Sequence, residues 1–199
     1  DLDNDVDIVV SKWFEDDKRS HQFFFVNEKG VFLNKTIDKG FSHDARDNNM
    51  ISFDYNNDGY LDLFILNSKN HKLYKNLGGN KFNIQNNSII EATKFLEGAV
   101  IDFDIEGDLD LILVGKNENI VFQNNSDGTF TKIDKEIGFN KLIYDSKLIT
   151  HSDFNNDGDN DIIIIKENGN GSYFENIRGG LFKKNKNNIG LKFTNNPGS

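Results

Sequence analysis

The stretch Asp54-Tyr55-Asn56-Asn57-Asp58-Gly59-Tyr60-Leu61-Asp62 decides the fold, because it recurs along the chain at a nearly constant interval. It returns at 102–110 as DFDIEGDLD and at 153–161 as DFNNDGDND, and residues 1–7, DLDNDVD, fit the same frame without its first residue. The closing aspartates of the four copies lie 55, 48 and 51 residues apart: Asp7, Asp62, Asp110 and Asp161. Such a period indicates a repeat architecture, in which each unit is one small structural module.

The rest of each unit repeats as well. A short apolar run follows each closing aspartate, and an aromatic residue then stands two places before an asparagine. These pairs are Phe25 and Asn27, Tyr74 and Asn76, Phe122 and Asn124, and Phe174 and Asn176. A glycine turn and another phenylalanine come next, and three units end in an apolar pair near Gly40-Phe41, Gly138-Phe139 and Gly190-Leu191. Short runs rich in Ile, Val, Leu and Phe, bounded by Asp, Asn and Gly, predict strands rather than helices.

The apolar runs are continuous rather than alternating, which predicts strands that are covered on both faces. A four-stranded antiparallel sheet fits a unit of about 50 residues, and stacking such sheets against each other covers both faces. The predicted fold class is therefore all-β, a β-propeller of four-stranded antiparallel blades. The chain is predicted to be one propeller segment, with repeats at about 1–47, 48–95, 96–146 and 147–199.

Two points of this fold stay open at the level of sequence. Four repeats could close into a ring, but both ends cut through a repeat, which favours a segment of a longer propeller and a cropped or processed chain. Residues 89–100 have some helical character, and we favour a variable outer strand or loop there.

The repeated loop has the chemistry of a metal site. It offers side-chain oxygens at positions 1, 3, 5 and 9 and a main-chain carbonyl at position 7, and calcium takes about 6–8 oxygen ligands. The glycine at position 6 permits the positive φ that folds the loop. The predicted ligands are Asp1, Asp3, Asp5 and Asp7 in loop one; Asp54, Asn56, Asp58, Tyr60 and Asp62 in loop two; Asp102, Asp104, Glu106, Asp108 and Asp110 in loop three; and Asp153, Asn155, Asp157, Asp159 and Asp161 in loop four. The carbonyl donors are Asp5, Tyr60, Asp108 and Asp159.

The alternative is that these are acidic turns without metal. Four copies at one period favour three to four Ca²⁺ sites, because the carboxylates of each loop would repel one another without a cation. An all-oxygen set disfavours zinc and copper, and magnesium requires a stricter octahedron. We expect the calcium to be structural; the alternative is that one ion contacts a ligand. Glu106 is one methylene longer than its counterparts, which makes loop three a candidate for distortion.

Composition excludes several other classes of protein. The 199 residues carry a formal net charge of −9 and no cysteine, so disulfides and thiolate zinc sites are excluded. The acidic balance disfavours nucleic acid as a partner, and no apolar run reaches the roughly 18 residues of a membrane helix. No nucleophile elbow or paired histidine motif occurs, and the three arginines are far apart, so no catalytic residue is predicted.

The loop, the apolar strand and the aromatic-x-Asn pair together resemble FG-GAP/VCBS repeats of the integrin-α-like propeller family. The segments 73–82, LYKNLGGNKF, and 121–130, VFQNNSDGTF, carry the resemblance most closely. It implies a seven- or eight-bladed calcium propeller in the full protein, extracellular or on the cell surface. The chain departs from the pattern at Asn4, which replaces glycine, at Glu106, and in the missing first ligand of loop one.

The expected function is that of a non-enzymatic extracellular adhesion or ligand-binding module. Its partner would be a protein or a glycan, with no nucleic acid and no membrane insertion, beside further blades or domains of the same parent chain. Two alternatives remain: a structural spacer or self-assembling scaffold, and an accessory or catalytic propeller of a polysaccharide-degrading enzyme.

Overall fold

The computed structural model describes residues 5–16, 19–37, 39–41, 47–67, 71–78, 81–85, 95–133, 137–138 and 145–185. All regular elements within these ranges are β-strands, so no helix there could cross a membrane. The chain forms two compact units, Asp1–Thr93 and Lys94–Ser199.

Unit 1 contains two antiparallel sheets. The first has the order β1 (Ile8–Phe14), β2 (Arg19–Glu28) and β3 (Val31–Asn34), and the second has the order β4 (Asp47–Phe53), β5 (Asp62–Asn67), β6 (Lys72–Asn76) and β7 (Phe82–Gln85). Strand β1 directly follows loop one, just as β5 directly follows loop two. Strand β1 therefore corresponds to β5, the second strand of a four-stranded sheet. The first sheet thus has three strands in the described part of the chain.

Unit 2 repeats the second arrangement twice. One sheet has the order β8 (Phe95–Ile101), β9 (Asp110–Gly115), β10 (Asn119–Asn124) and β11 (Phe130–Ile133), and the other has β12 (Ser146–Ser152), β13 (Asp161–Lys166), β14 (Gly171–Asn176) and β15 (Phe182–Lys184). All pairings are antiparallel. The all-β class with blade-like sheets is therefore confirmed.

The helical alternative for residues 89–100 is wrong where the structure describes it. Residues 95–101 form β8, the edge strand that leads into loop three, because they pair with β9 from Phe95 opposite Gly115 to Ile101 opposite Asp110. The outer-strand prediction for 89–94 lies outside the described residues.

Three of the four continuous apolar runs are largely buried strands. Ile8 and Val10 of β1 are exposed, so the prediction of cover on both faces does not hold for the first run. All six residues of β9 are buried, as are the first four of β13. In unit 2, Ile112 and Val114 of β9 pack in one core cluster with Ile162 and Ile164 of β13. In unit 1 the equivalent cluster joins Phe24 and Val26 of the first sheet to Leu63, Ile65, Tyr74 and Phe82 of the second. Full burial of one such side chain contributes about 1.5–3 kcal/mol, so the contacts between sheets dominate each unit.

A glycine turn after the last strand of one sheet docks on the last strand of the next. The Lys39 carbonyl accepts a hydrogen bond from the Phe82 amide at 3.0 Å, and the Ile137 carbonyl accepts one from the Phe182 amide at 2.8 Å. Gly40 and Gly138 lie at these contacts with φ of +87° and +76°. The predicted apolar pairs at Gly40 and Gly138 are thus connections between sheets; Phe139, Gly190 and Leu191 lie outside the described residues.

Candidate functional site

Loops two, three and four join the first and second strands of their sheets and share one backbone conformation. The sixth-position glycines Gly59, Gly107 and Gly158 have φ of +87°, +93° and +92°, as the sequence predicts. The fourth position also has a positive φ, which the sequence analysis missed: +56° at Asn57, +66° at Ile105 and +61° at Asn156. The sequence feature that could have predicted this positive φ is the asparagine that loops two and four share at the fourth position, since asparagine tolerates the conformation.

The first aspartate of each loop folds the loop around its own carboxylate. Asp54 accepts hydrogen bonds from the amides of Asp58 at 3.1 Å and Gly59 at 2.7 Å. Asp153 makes the same pair of bonds in loop four. In loop three only one oxygen of Asp102 is used, by the Gly107 amide at 3.1 Å. Asp102 Oδ1 is buried and has no hydrogen-bond partner among the described residues.

Loop three brings three carboxylates together. Asp102, Asp104 and Asp110 each offer one oxygen, and these oxygens lie within 4.8 Å of one another. No other such group of three acidic or histidine side chains occurs in the part of the chain that the structure describes. Glu106 is exposed and is not in this group, while loops two and four carry asparagine at the third position.

The closing aspartates have a structural role that the sequence analysis did not foresee. Asp62, Asp110 and Asp161 have no exposed surface. One oxygen of each accepts the amide hydrogen of the asparagine in the aromatic-x-Asn pair, at 2.6, 2.8 and 2.9 Å respectively. The other accepts the amide hydrogen of the second loop residue, at 3.2–3.3 Å. Each closing aspartate therefore clamps its loop to the third strand of its sheet.

Loop one keeps part of this arrangement. Asp7 Oδ1 accepts the Asn27 amide hydrogen at 2.9 Å, as the clamp of the other loops requires. The predicted ligands Asp1 and Asp3, and Asn4 at the glycine position, lie outside the described residues, and Asp5 is half-buried.

The asparagine side chains extend the clamp. Asn76 Nδ2 and Asn124 Nδ2 donate to the carbonyls of Leu61 and Leu109 in their own loops, both at 3.1 Å. Asn176 Nδ2 donates instead to the Phe103 carbonyl of loop three at 2.9 Å, across the two sheets of unit 2. In loops two, three and four the closing aspartate precedes the asparagine of the aromatic-x-Asn pair by 14 or 15 residues. This recurring spacing is the sequence feature that could have predicted the clamp.

The side chain at the seventh position of each complete loop contacts the turn that follows the third strand of the same sheet. Asp108 accepts a hydrogen bond from the Ser126 hydroxyl, and Asp159 Oδ2 lies 3.2 Å from Arg178 Nε. The Tyr60 ring lies so close to Gly78 that an added Cβ there would be 2.7 Å from it. At this seventh position only the main-chain carbonyl is a predicted ligand, so these side-chain contacts do not compete with metal binding.

Burial disfavours the ionised form of two closing aspartates, Asp62 and Asp110. Burial raises the pKa of Asp62 to about 6 and that of Asp110 to about 7, and hydrogen bonds from backbone amides offset only part of this effect. Neighbouring loop carboxylates raise both pKa values further. A divalent cation among these groups would offset the repulsion and the desolvation. The orphaned Asp102 Oδ1 and the clustered oxygens of loop three thus fit a hard cation.

A cavity of about 430 Å³ opens at the end of unit 2 opposite loops three and four. It lies among the starts of β8 and β12 and the turns after β9 and β13, and it is lined by Leu96, Lys116, Asp145, Ser146, Glu167 and Asn168. The Asp145 amide donates to the Lys116 carbonyl at 2.9 Å, and the Glu167 amide donates to the Asp145 carbonyl at 2.8 Å. Three chain segments around the cavity are thereby held together by main-chain hydrogen bonds.

The side chains around this cavity are incompletely paired. Ser146 is 1% exposed, and its hydroxyl has no hydrogen-bond partner among the described residues. The side chains of Lys116 and Asp145 make no hydrogen bond or ion pair with any residue that the structure describes. Glu167, in contrast, forms an ion pair with Lys147 at 3.2 Å. Asp145 has a φ of +59°, a left-handed conformation that aspartate adopts more readily than most residues other than glycine. The sequence analysis found no signal for this cavity.

Blade-like sheets with a shared loop between their first two strands define a repeat protein of the β-propeller class. A family model described as an FG-GAP-like repeat matches residues 54–113, from the first residue of loop two into β9. Residues 54–113 therefore carry an FG-GAP-like repeat, and the predicted resemblance to FG-GAP repeats is confirmed there. No curated protein matches the chain.

Among solved structures, the chain is similar to an Agrocybe aegerita lectin, whose title describes specific recognition of non-reducing terminal N-acetylglucosamine. The identity is 19% and the TM-score is 0.58, over 89% of this chain and 51% of the lectin chain. This likeness supports the propeller fold class alone. The chain spans about half the length of that lectin.

Proposed function

We propose that this chain is a non-enzymatic, calcium-stabilised propeller module that binds a saccharide outside the cell. The observation that carries the proposal is the convergence of the Asp102, Asp104 and Asp110 carboxylates in a loop pattern that occurs four times. Oxygen-only sites of this kind suit calcium, and extracellular calcium modules work at about 10⁻⁴–10⁻³ M. A site outside the cell provides that concentration.

The cavity of unit 2 supports a hydroxyl-rich ligand. Its volume of about 430 Å³ lies in the range of small-molecule sites. The Lys116 ammonium can donate hydrogen bonds to a ligand, the Asp145 carboxylate can accept them, and the Ser146 hydroxyl can do both. The cavity thus offers hydrogen-bond donors, hydrogen-bond acceptors and the apolar side chain of Leu96. This combination suits a sugar ring, which has hydroxyls at its edge and an apolar face. The similar lectin supports a saccharide as the first ligand to test.

The test is a glycan array probed with the folded chain in calcium, with terminal N-acetylglucosamine among the probes. We expect binding, and we expect Asp145→Ala to weaken it about 10-fold or more, because a hydrogen bond to a charged group contributes about 1.5–3 kcal/mol. Lys183→Ala, which removes an exposed charge from β15 outside the cavity, should bind normally. An array without hits, or equal binding by Asp145→Ala, would overturn the saccharide assignment.

The same samples test the absence of catalysis. Polysaccharides incubated with the chain and calcium should show no new reducing ends. Release of reducing ends that a cavity variant abolishes would instead support the polysaccharide-degrading alternative.

A further inference from the structure

One position in the third strand differs in charge among the three four-stranded sheets, and in two of them its side chain contacts the loop. It is the middle residue of the aromatic-x-Asn pair: Lys75 in β6, Gln123 in β10 and Glu175 in β14. The three are equivalent in register, because they pair with Asn83, Thr131 and Lys183, each one residue after the phenylalanine that starts the last strand. We call this the mid-strand position.

Two of these side chains contact predicted calcium ligands directly. Lys75 Nζ lies 3.2 Å from Asp58 Oδ2, at the fifth position of loop two. Gln123 Nε2 donates a hydrogen bond to Asp104 Oδ2 at 2.7 Å, at the third position of loop three. The lysine therefore places a positive charge beside a predicted ligand, whereas the glutamine orients a predicted ligand without adding charge.

Loops two and four make a matched comparison. Their predicted side-chain ligands are the same: aspartate at positions 1, 5 and 9 and asparagine at position 3. Their mid-strand residues are opposite in charge, Lys75 against Glu175. Arg178, in the turn after β14, pairs with Asp159, whose side chain is not a predicted ligand. The pKa of Asp157, at the fifth position of loop four, is lowered by a hydrogen bond from the Asp159 amide and also by the positive charge of Arg178. No direct contact like the ion pair of Lys75 joins Arg178 and Asp157 among the described side chains.

We propose that the mid-strand residue sets the calcium affinity of its own loop, so that Lys75 weakens loop two relative to loop four. The inference rests on the proposed calcium binding. A fixed positive charge beside the ligands repels a divalent ion and competes for the Asp58 carboxylate, and a negative charge attracts the ion. The chain would then fill its loops in sequence as calcium rises.

The test is calcium titration of the full chain by isothermal titration calorimetry, with calcium-dependent melting as a second measurement. Lys75→Gln should tighten one site by about three- to tenfold, which is the size of one partly screened charge acting on a divalent ion. Glu175→Gln, which also changes the charge by one unit, should weaken a different site by a similar factor. In an Asp54→Ala background, which removes a ligand of loop two, the effect of Lys75→Gln should disappear.

The matched control is Lys72→Gln, which removes the same charge from the same strand three residues away. It should change affinity much less than Lys75→Gln. Equal effects of the two variants, or no effect of Lys75→Gln on a wild type that does bind calcium, would overturn the inference and leave the proposed calcium binding intact. A wild type that binds no calcium at all would overturn both.

Discussion

Ile105 adopts a backbone conformation that β-branched residues rarely take. It occupies the fourth position of loop three with φ of +66°, where loops two and four have asparagine, and its side chain is 60% exposed. A left-handed conformation costs an ordinary residue about 1–2 kcal/mol, and asparagine much less. Loop three therefore carries local strain, in addition to its extra carboxylate at Asp104, where loops two and four have asparagine.

We predict that Ile105→Asn stabilises the protein by about 1 kcal/mol, because it removes the strain and loses little packing at an exposed site. The measurement is the urea midpoint in the presence of chelator, so that metal binding does not contribute. The reciprocal Asn57→Ile in loop two should lower stability by a similar amount. A midpoint unchanged in both variants would show that the fourth position carries no strain.

At the level of elements, the glycine turns decide how sheets join within each unit. An added Cβ would lie 2.6 Å from the Phe82 carbonyl oxygen at Gly40, and 2.1 Å from the Phe182 carbonyl oxygen at Gly138. The carbonyl belongs in each case to the last strand of the neighbouring sheet, so it cannot move without disturbing that strand. Only glycine permits both the positive φ and this close approach.

We predict that Gly40→Ala and Gly138→Ala each destabilise the protein by about 2–4 kcal/mol, from the clash together with the unfavourable φ. The control is Gly59→Ala, which has the same φ of +87° as Gly40 but no atom within 4 Å of an added Cβ. It should cost only about 1 kcal/mol. Denaturant unfolding with chelator present measures all three, and equal costs would mean that the turns do not hold the sheets together.

At the scale of the molecule, the negative charge is concentrated in the loops. The chain has a formal net charge of −9, and each complete loop holds three or more carboxylates. Three to four calcium ions would add +6 to +8 and nearly neutralise the chain. Stability should therefore depend strongly on calcium.

We predict that chelator lowers the melting temperature and that calcium restores it, with each occupied site adding about 2.7 kcal/mol at 100-fold excess over its dissociation constant. Magnesium should do much less. Added sodium chloride should stabilise the chelated protein more than the calcium-loaded one, because salt screens the same repulsion that calcium removes. Identical melting curves in calcium and chelator would contradict the calcium assignment.

Much of the fold and part of the site could be predicted from residue types alone. The strands, the burial of most of their apolar runs and the positive φ of Gly59, Gly107 and Gly158 follow from local demands that only certain side chains meet. The loop carboxylates were likewise visible, because metal ligands in one tight loop are close in sequence.

Contacts between distant segments needed the tertiary structure. Four features join groups from separate parts of the chain. They are the hydrogen bond from the Asn124 amide to Asp110, the hydrogen bond from Asn176 to loop three, the ion pair of Lys75 with Asp58, and the cavity around Ser146. Their meeting depends on strand register and sheet stacking, which residue types at short range do not specify. The sequence by itself determined which modules form and which chemistry their loops carry, whereas the packing of strands and sheets decided which side chains act on those loops.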